Sequence, residues 1–310
     1  MSNKTAQQKT GYVKKKNKGK ISIGRCVVYF LTISFALLCL YPFAMVIGGS
    51  FMTQQEVLDF GFRLIPQDPT LESYNMLLAN PRMILNGYRI TITVTVVGTI
   101  LAVFVNSMMG YVLSRKQLIG KRFINFYVLF TMLFGGGMVP WYIVTTQVLG
   151  LTDSIWALIL PSLVGAWNIF LVRNYFNSIP SELYESARVD GAQEFTIFTR
   201  IYLPLGKPVI ATISLFIALG YWNDWWLGLM LINRDELQPL QMLLRRMMAN
   251  IQFLQTMPNA PLEVQRMLAN VPGDGVRFAM VILTTGPIIL LYPFLQKYFI
   301  KGIMVGAVKG

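Results

Sequence analysis

The chain has 310 residues, of which 54% are hydrophobic and 13% are charged, and its mean hydropathy is +0.51. Soluble domains carry about twice this share of charged residues, so the composition argues against a soluble globular protein and predicts a polytopic membrane protein. The sequence contains no histidine, which excludes imidazole as a metal ligand, a general base or a proton relay.

Residues 1–25 are polar and carry eight of the 27 lysines and arginines. We expect a cytosolic tail that fixes orientation, with nucleic-acid or lipid binding as the alternative for such a basic run. The apolar run at 26–47 is too long for a cleaved signal and lacks a small-residue cleavage site, so it predicts a retained span. Cys26 and Cys39 fall in this one helix, about 20 Å apart along its axis, and cannot bridge each other within it.

Further apolar runs long enough to cross a bilayer follow at residues 90–113, 123–144, 154–172, 209–232 and 278–298. The prediction is therefore an all-α protein with six transmembrane helices and both termini on one side. Several runs contain helix breakers, namely Pro42, residues 135–137 with Pro140, Pro161, Pro287 and Pro293. They predict kinked helices, and packing alone is the alternative explanation for any one of them.

Basic residues are distributed unevenly between the two sides. The side with the tails and the segments 115–122 and 173–207 carries 19 lysines and arginines against four acids, and the other side carries eight against nine. The positive-inside rule places the first side in the cytosol, so the net charge of +13 reflects topology and does not indicate a nucleic-acid partner. The long loops at 51–87 and 233–276 then lie outside. They predict contact with an extracellular binding protein, or else a surface cap without a partner.

The polar segment 181–208 lies between two apolar runs. Ser181 is predicted to cap a helix whose first turn carries Glu182, and Gly191 is predicted to end that helix in a left-handed conformation. A second amphipathic turn is predicted from apolar residues at three-residue spacing, Phe195, Phe198 and Ile201. Prolines are then predicted to break the backbone before the next span, at Leu203-Pro204 and at Pro208.

This segment resembles the EAA loop in permease subunits of ATP-binding-cassette (ABC) importers, with the form E-A-A-x-x-D-G-A followed by I-x-L-P. The matching residues are Glu185, Ala187, Asp190, Gly191, Ala192, Leu203 and Pro204. Ser186 replaces the first alanine, which exchanges one small residue for another. The resemblance implies that these residues form a coupling helix that docks on a separate ATPase subunit.

Other segments resemble carbohydrate-type importer permeases, so that the likeness runs over roughly residues 25–310. They are residues 134–140, 149–151, 156–161, 222–226 and 296–302. The likeness is greatest to the maltose-type group, and within it to permeases for complex oligosaccharides in Gram-positive bacteria. It implies a type I ABC importer permease fold in a bacterial plasma membrane. The implied partners are a second permease subunit in a heterodimer, a cytosolic ATPase dimer, an extracellular solute-binding protein and a carbohydrate substrate.

The predicted organisation has four parts. A basic cytosolic tail covers 1–25, and a first transmembrane helix with an extracellular loop covers 26–87. A permease core covers 88–299 and contains the cytosolic coupling loop 181–208, and a cytosolic tail covers 300–310. Two other functions stay open: an importer permease for a non-sugar solute, and a secondary carrier that needs no ATPase.

The sequence predicts no enzyme, cofactor or metal site, because it has neither a phosphate-binding G-x-x-x-x-G-K-[ST] loop nor histidine for a catalytic triad. Asp224 is the one acid inside a predicted span, a position that suggests function. Its neighbours Trp222, Asn223 and Trp225 offer flat faces and an amide, a mixture that suits a sugar. The alternative is an interfacial tryptophan belt. Single polar residues in other spans, Asn106 and Asn168, are predicted to link helices.

Overall fold

The computed structural model describes residues 23–255 and 273–289, and over these ranges the regular structure is entirely helical. The α-helices are α1 (Ile23–Gly49), α2 (Gln54–Phe60), α3 (Glu72–Leu77), α4 (Pro81–Ser114), α5 (Lys121–Leu133), α6 (Met138–Ile143), α7 (Ile155–Ile159), α8 (Ala166–Asn177), α9 (Ser181–Val189), α10 (Glu194–Ile197), α11 (Leu203–Leu205), α12 (Lys207–Trp222), α13 (Trp226–Leu231), α14 (Leu240–Gln255) and α15 (273–289). Two π-helical turns (Val144–Val148 and Phe198–Tyr202) and two 3-10 turns (Leu160–Ser162 and Asp235–Leu237) complete the helical elements. The all-α prediction is confirmed for this part of the chain.

Two of the described helices, α1 and α4, are each long and apolar enough to cross a membrane. The number rises to five if each of three bent pairs counts as one span: 121–133 with 138–148 (bent by 111°), 155–162 with 166–177 (52°), and 194–205 with 207–222 (84°). Six spans are therefore not confirmed. Residues 290–298 of the last predicted span, and both predicted tails apart from 23–25, lie outside the described residues.

The chain divides into two compact units, residues 1–45 and 46–310. In the first unit the described residues belong to α1, which continues without interruption past Pro42. Cys26 and Cys39 lie in this helix as exposed free thiols.

The second unit is built around α4, which packs along both α8 and α12. Small residues on α4 allow this close approach. A Cβ at Gly98 would lie 2.8 Å from the ring of Tyr221, and one at Gly110 would lie 2.7 Å from the side chain of Val172. Asn106, fully buried on the same helix, donates to the Leu163 carbonyl (2.8 Å) and accepts from the Gly165 amide (2.9 Å). Its predicted role as a link between helices is confirmed by these contacts.

Two predicted spans are interrupted at particular residues. The run 123–144 bends between α5 and α6, where Gly137 has a φ of +84° that glycine tolerates without steric cost. The run 209–232 is not one helix, because α12 ends at Trp222 and α13 begins at Trp226. Both breaks interrupt the helix in the middle of an apolar run. Such irregular backbone is tolerated at membrane depth where it lines a cavity or is buried in protein.

Candidate functional site

The helix predicted for coupling is present as α9, but its start differs from the prediction. Pro180 occupies the N-cap position and no side chain caps the helix. Capping by Ser181 is therefore wrong, because Ser181 is already the first helical residue. Glu182 does lie in the first turn, as predicted.

The end of α9 forms a Schellman turn that explains the D-G-A part of the motif. Gly191 has a φ of +80°, and its amide donates to the Arg188 carbonyl at 3.1 Å, while the Ala192 amide donates to the Ala187 carbonyl at 2.9 Å. These two bonds satisfy carbonyls that the end of a helix would leave without partners. The left-handed end predicted at Gly191 is confirmed. No atom lies within 4 Å of a Cβ built there, so the backbone conformation, and not crowding, favours glycine.

The two sides of α9 differ in what they contact. Ala187 is partly buried against the main hydrophobic core, as is Ala192 just after the helix. Glu185 and Asp190 are exposed, and so are apolar side chains that the sequence analysis did not single out, Leu183, Val189 and Phe195. The exposed side of the segment thus combines carboxylates with apolar groups. Beside it lies a groove of about 450 Å³, lined also by the ends of α4 and α8.

Glu194 joins this segment to the end of α4. Its two carboxylate oxygens accept hydrogen bonds from the hydroxyl of Tyr111 (2.6 Å) and from that of Tyr184 (2.7 Å), and Arg188 lies 3.9 Å away. Burial opposes ionisation of Glu194. The two hydrogen bonds and the nearby guanidinium groups of Arg188 and Arg115 outweigh it and lower the pKa of the carboxyl. The hydrogen bond to Glu194, with a smaller contribution from burial, raises the pKa of Tyr184.

Arg115 strengthens the same junction. Its guanidinium lies over three tyrosine rings, 4.6 Å from the centroid of Tyr111, 4.8 Å from that of Tyr184 and 4.3 Å from that of Tyr202. Such contacts are individually modest, about 0.5–1 kcal/mol at exposed sites, but they converge on one side chain. From the sequence alone, Arg115 is predicted only to contribute to the basic charge of the cytosolic side. Tyr111 lies four residues before Arg115, a spacing that brings side chains together on a helix, whereas Tyr184 and Tyr202 come from distant stretches of chain that no local pattern signals.

Leu203 and Pro204 lie inside a continuous helical stretch. Pro204 belongs to α11, directly after the π-helical turn Phe198–Tyr202. A proline ring clashes with the carbonyl four residues earlier in a regular α-helix, and the wider π turn relieves that clash. The bend of 84° falls at Gly206, where a Cβ would lie 2.5 Å from the ring of Phe176. The backbone therefore breaks before the next span, as predicted, but it does so at Gly206 and not at the prolines, because Pro204 is helical within α11 and Pro208 lies in the first turn of α12.

The tryptophan cluster lies at the junction of α12 and α13, and the structure separates its members. Trp222 is buried, and its indole donates to the Thr284 carbonyl of α15 at 3.0 Å. Asn223 is exposed and donates back to the Leu219 carbonyl at 2.9 Å. Trp222 therefore fixes α12 against α15, and the Asn223 amide nitrogen is engaged within its own helix.

Asp224 lies between the two helices, and not within one. Its carboxylate accepts the Leu227 amide at 2.9 Å and so satisfies a free donor at the start of α13. It also lines a groove of about 400 Å³ together with Ser162, Trp226 and the glycines 135–137. Trp226, which is not among the residues predicted for the substrate path, lines this groove, and Trp225, which is among them, does not.

Trp225 faces a different cavity, of about 280 Å³, which is bordered by α14 and α15. The guanidinium of Arg245 lies 3.6 Å from the centroid of its ring. Within residues 23–255 and 273–289, no three acidic or cysteine side chains come together as a metal site would require.

Comparisons with known proteins show which proteins this chain resembles. Residues 98–305 match the family model described as "Binding-protein-dependent transport system inner membrane component". The chain is 40% identical over 284 residues to the polygalacturonan/rhamnogalacturonan transport system permease protein YtcP of Bacillus subtilis (strain 168), covering 92% of this chain and 97% of that one. It is 39% identical over 289 residues to protein LplC of the same organism, covering 92% and 94%.

A solved structure adds the fold. A bacterial ABC transporter involved in the import of the acidic polysaccharide alginate matches with a TM-score of 0.74 and 31% identity, over 89% of this chain and 96% of that one. Both the family model and these relatives extend across the coupling segment and the α12–α13 junction. The chain therefore belongs to the family of binding-protein-dependent transport system inner membrane components, the permeases of bacterial ABC transporters.

Proposed function

We propose that this chain forms half of the translocation path of an ATP-driven importer for a carbohydrate, and specifically for an oligosaccharide. The names of the relatives support this cargo, since YtcP is a permease for polygalacturonan and rhamnogalacturonan and the solved importer carries alginate. The second half of the path would come from a different permease subunit, and the substrate would be delivered by an extracellular solute-binding protein.

The observation that carries the coupling part of the proposal is the rigid end of α9. A helix that passes movement from an ATPase into the membrane must keep its direction, and the Schellman turn at Gly191 fixes where α9 ends. The exposed carboxylates of Glu185 and Asp190 lie beside exposed apolar side chains, a combination that suits docking on a basic and partly apolar groove of an ATPase dimer. Bound ATP would close the dimer, move both coupling helices and turn the cavity outward.

For the path itself, we propose the groove at the α12–α13 junction. Asp224 offers a carboxylate and Trp226 offers an aromatic face there, which suits the hydroxyls and the apolar face of a sugar ring. Both termini and residues 114–122 would be cytosolic, which follows from the uneven distribution of basic residues.

Reconstitution tests this proposal against a secondary carrier. The complete importer, with its second permease, ATPase and binding protein, is placed in proteoliposomes and supplied with radiolabelled oligosaccharides. We expect uptake that requires ATP and the binding protein and that persists when ion gradients are dissipated by ionophores. Uptake driven by an ion gradient without ATP would show a secondary carrier. ATP-dependent uptake of a non-sugar solute alone would retain the importer and reject the carbohydrate.

A further inference from the structure

The cavity beside Trp225 is lined by polar side chains from two neighbouring helices. Gln241 and Arg245 are four residues apart on α14 and so lie on one helix face, and Arg277 and Thr284 are seven residues apart on one face of α15. The volume of about 280 Å³ is below the ~300–1,000 Å³ of sites for drug-sized ligands. It suits a single sugar residue better than a chain of them.

Arg245 is an exposed residue whose guanidinium contacts Trp225 at this cavity. Its guanidinium stacks on the Trp225 ring at 3.6 Å, and stacking occupies a face of the guanidinium while its N–H groups continue to point outward in its plane. These in-plane donors match the two oxygens of a carboxylate, which arginine binds through parallel hydrogen bonds. An arginine already stacked on a ring loses less side-chain freedom when it binds than a mobile one does.

The charge of the cavity is positive. Arg277 contributes a second guanidinium, whose contact with Asp274 at 3.1 Å offsets it in part. Arg246, the residue after Arg245, differs from it in its partner and in its position. Its guanidinium pairs with Asp235 at 2.9 Å, and its side chain does not line the cavity. The two adjacent arginines of α14 therefore have different surroundings, and only Arg245 is presented to the cavity.

The cavity adjoins the groove that contains Asp224. Trp225 borders the cavity and Trp226 borders the groove, and their rings meet edge to face with centroids 5.7 Å apart and planes at 88°. A saccharide chain with one residue in the groove would thus bring a neighbouring residue within reach of Arg245.

We propose that this cavity is a subsite for the carboxylate of an acidic sugar residue, with Arg245 as its principal ligand and Arg277 as the second. The inference rests on the proposed function and narrows its substrate class to oligosaccharides that carry uronic acids. Trp225 serves as the platform that orients Arg245, and Gln241 and Thr284 offer polar atoms for the hydroxyls of the same residue.

The test compares two substrates of equal length and two adjacent arginines. The reconstituted importer is supplied with trigalacturonate or with the neutral trisaccharide made from it by reducing its carboxyl groups. We expect Arg245→Gln to lower uptake of trigalacturonate relative to the neutral trisaccharide by about tenfold or more, the change expected when one charge-assisted pair is lost. Trp225→Ala should shift the ratio in the same direction, and the matched control Arg246→Gln should leave it unchanged. The binding protein is the same throughout, so a change in ratio between variants reports on the permease.

Several results would overturn the inference. They are an unchanged ratio in Arg245→Gln, an equal loss for both trisaccharides in a variant that still assembles, and a wild-type importer that carries only the neutral trisaccharide or neither of the two. An equal loss in such a variant would assign Arg245 to docking of the binding protein or to another step that both substrates share. Transport of neutral oligosaccharides alone would reject the acidic subsite and leave the proposed import of carbohydrate intact, so the two failures are distinguishable.

Discussion

Replacing Gly191 with valine tests whether the end of α9 acts as a coupling element. Gly191 adopts a φ of +80° in open space, so valine meets no neighbour and the cost lies in the backbone alone. A residue with a Cβ loses about 1–2 kcal/mol in the left-handed conformation. If the chain leaves that conformation, it gives up the two hydrogen bonds of the Schellman turn, each worth about 0.5–1.5 kcal/mol. The strained turn is therefore disfavoured by a factor of about 5–30, and loss of both hydrogen bonds, about 1–3 kcal/mol together, costs a similar or larger factor.

We expect Gly191→Val to insert into the membrane and assemble, but to lose substrate-stimulated ATP hydrolysis and uptake together, each by about fivefold or more. Both are measured on the reconstituted importer. Gly120→Val is the matched control, because Gly120 has a φ of +71° and equally open surroundings but lies before α5, outside the coupling segment. It should lower thermal stability by a similar amount and preserve coupling.

One result would refute this reasoning. If Gly191→Val purifies with a full complement of ATPase and transports as well as Gly120→Val, the turn after α9 only ends a surface helix. The coupling function assigned to the segment would then be wrong.

Three further predictions use other parts of the chain. Asp224→Asn keeps an acceptor for the Leu227 amide and should preserve stability while weakening uptake. Asp224→Ala should weaken uptake and also cost about 0.5–2 kcal/mol of stability, because the helix cap is lost. Normal uptake by Asp224→Asn would show that this residue acts only as a structural cap. The pKa of Glu194 is lowered in the folded protein, so the stability that its ionised carboxylate contributes is present at neutral pH and is lost as the pH falls through the folded pKa. The melting temperature of the wild type should therefore exceed that of Glu194→Gln at pH 7, and the difference should shrink on acidification. A difference that does not depend on pH would contradict this prediction. Single cysteines at Lys9 and Gly310, in a background without native cysteine, should resist an impermeant thiol reagent in intact cells, and rapid labelling of both would reject the predicted topology with both termini cytosolic.

Features set by neighbouring residues could be predicted from the sequence. The left-handed end of α9 is such a feature, since glycine at that position and a helix before it suffice to specify the turn. The same local reasoning failed at Pro204, because a proline breaks a helix only if the preceding turn is a regular α turn. A π turn precedes it instead, and its formation depends on packing that no short pattern encodes.

Contacts between distant parts of the chain could not be predicted. Tyr111 and Glu194 are 83 residues apart, and only the packing of α4 beside the coupling segment brings them together. The different surroundings of Trp225 and Trp226 could not be predicted for a related reason. A continuous helix through residues 222–226 would spread these side chains around one axis, whereas the break at residues 223–225 turns Trp225 and Trp226 toward different cavities.

The unbroken course of α4 has a mechanical consequence. Its 34 residues extend about 51 Å at the usual rise per residue, so this single helix links two distant parts of the chain. One end holds the coupling segment through Tyr111. The other is pinned by Thr91, whose hydroxyl accepts the Leu240 amide at 2.8 Å, and by Asn86, which donates to the Glu236 carbonyl at 2.6 Å. A push on the Tyr111 end therefore displaces the start of α14, the helix that carries Arg245, without any intervening hinge.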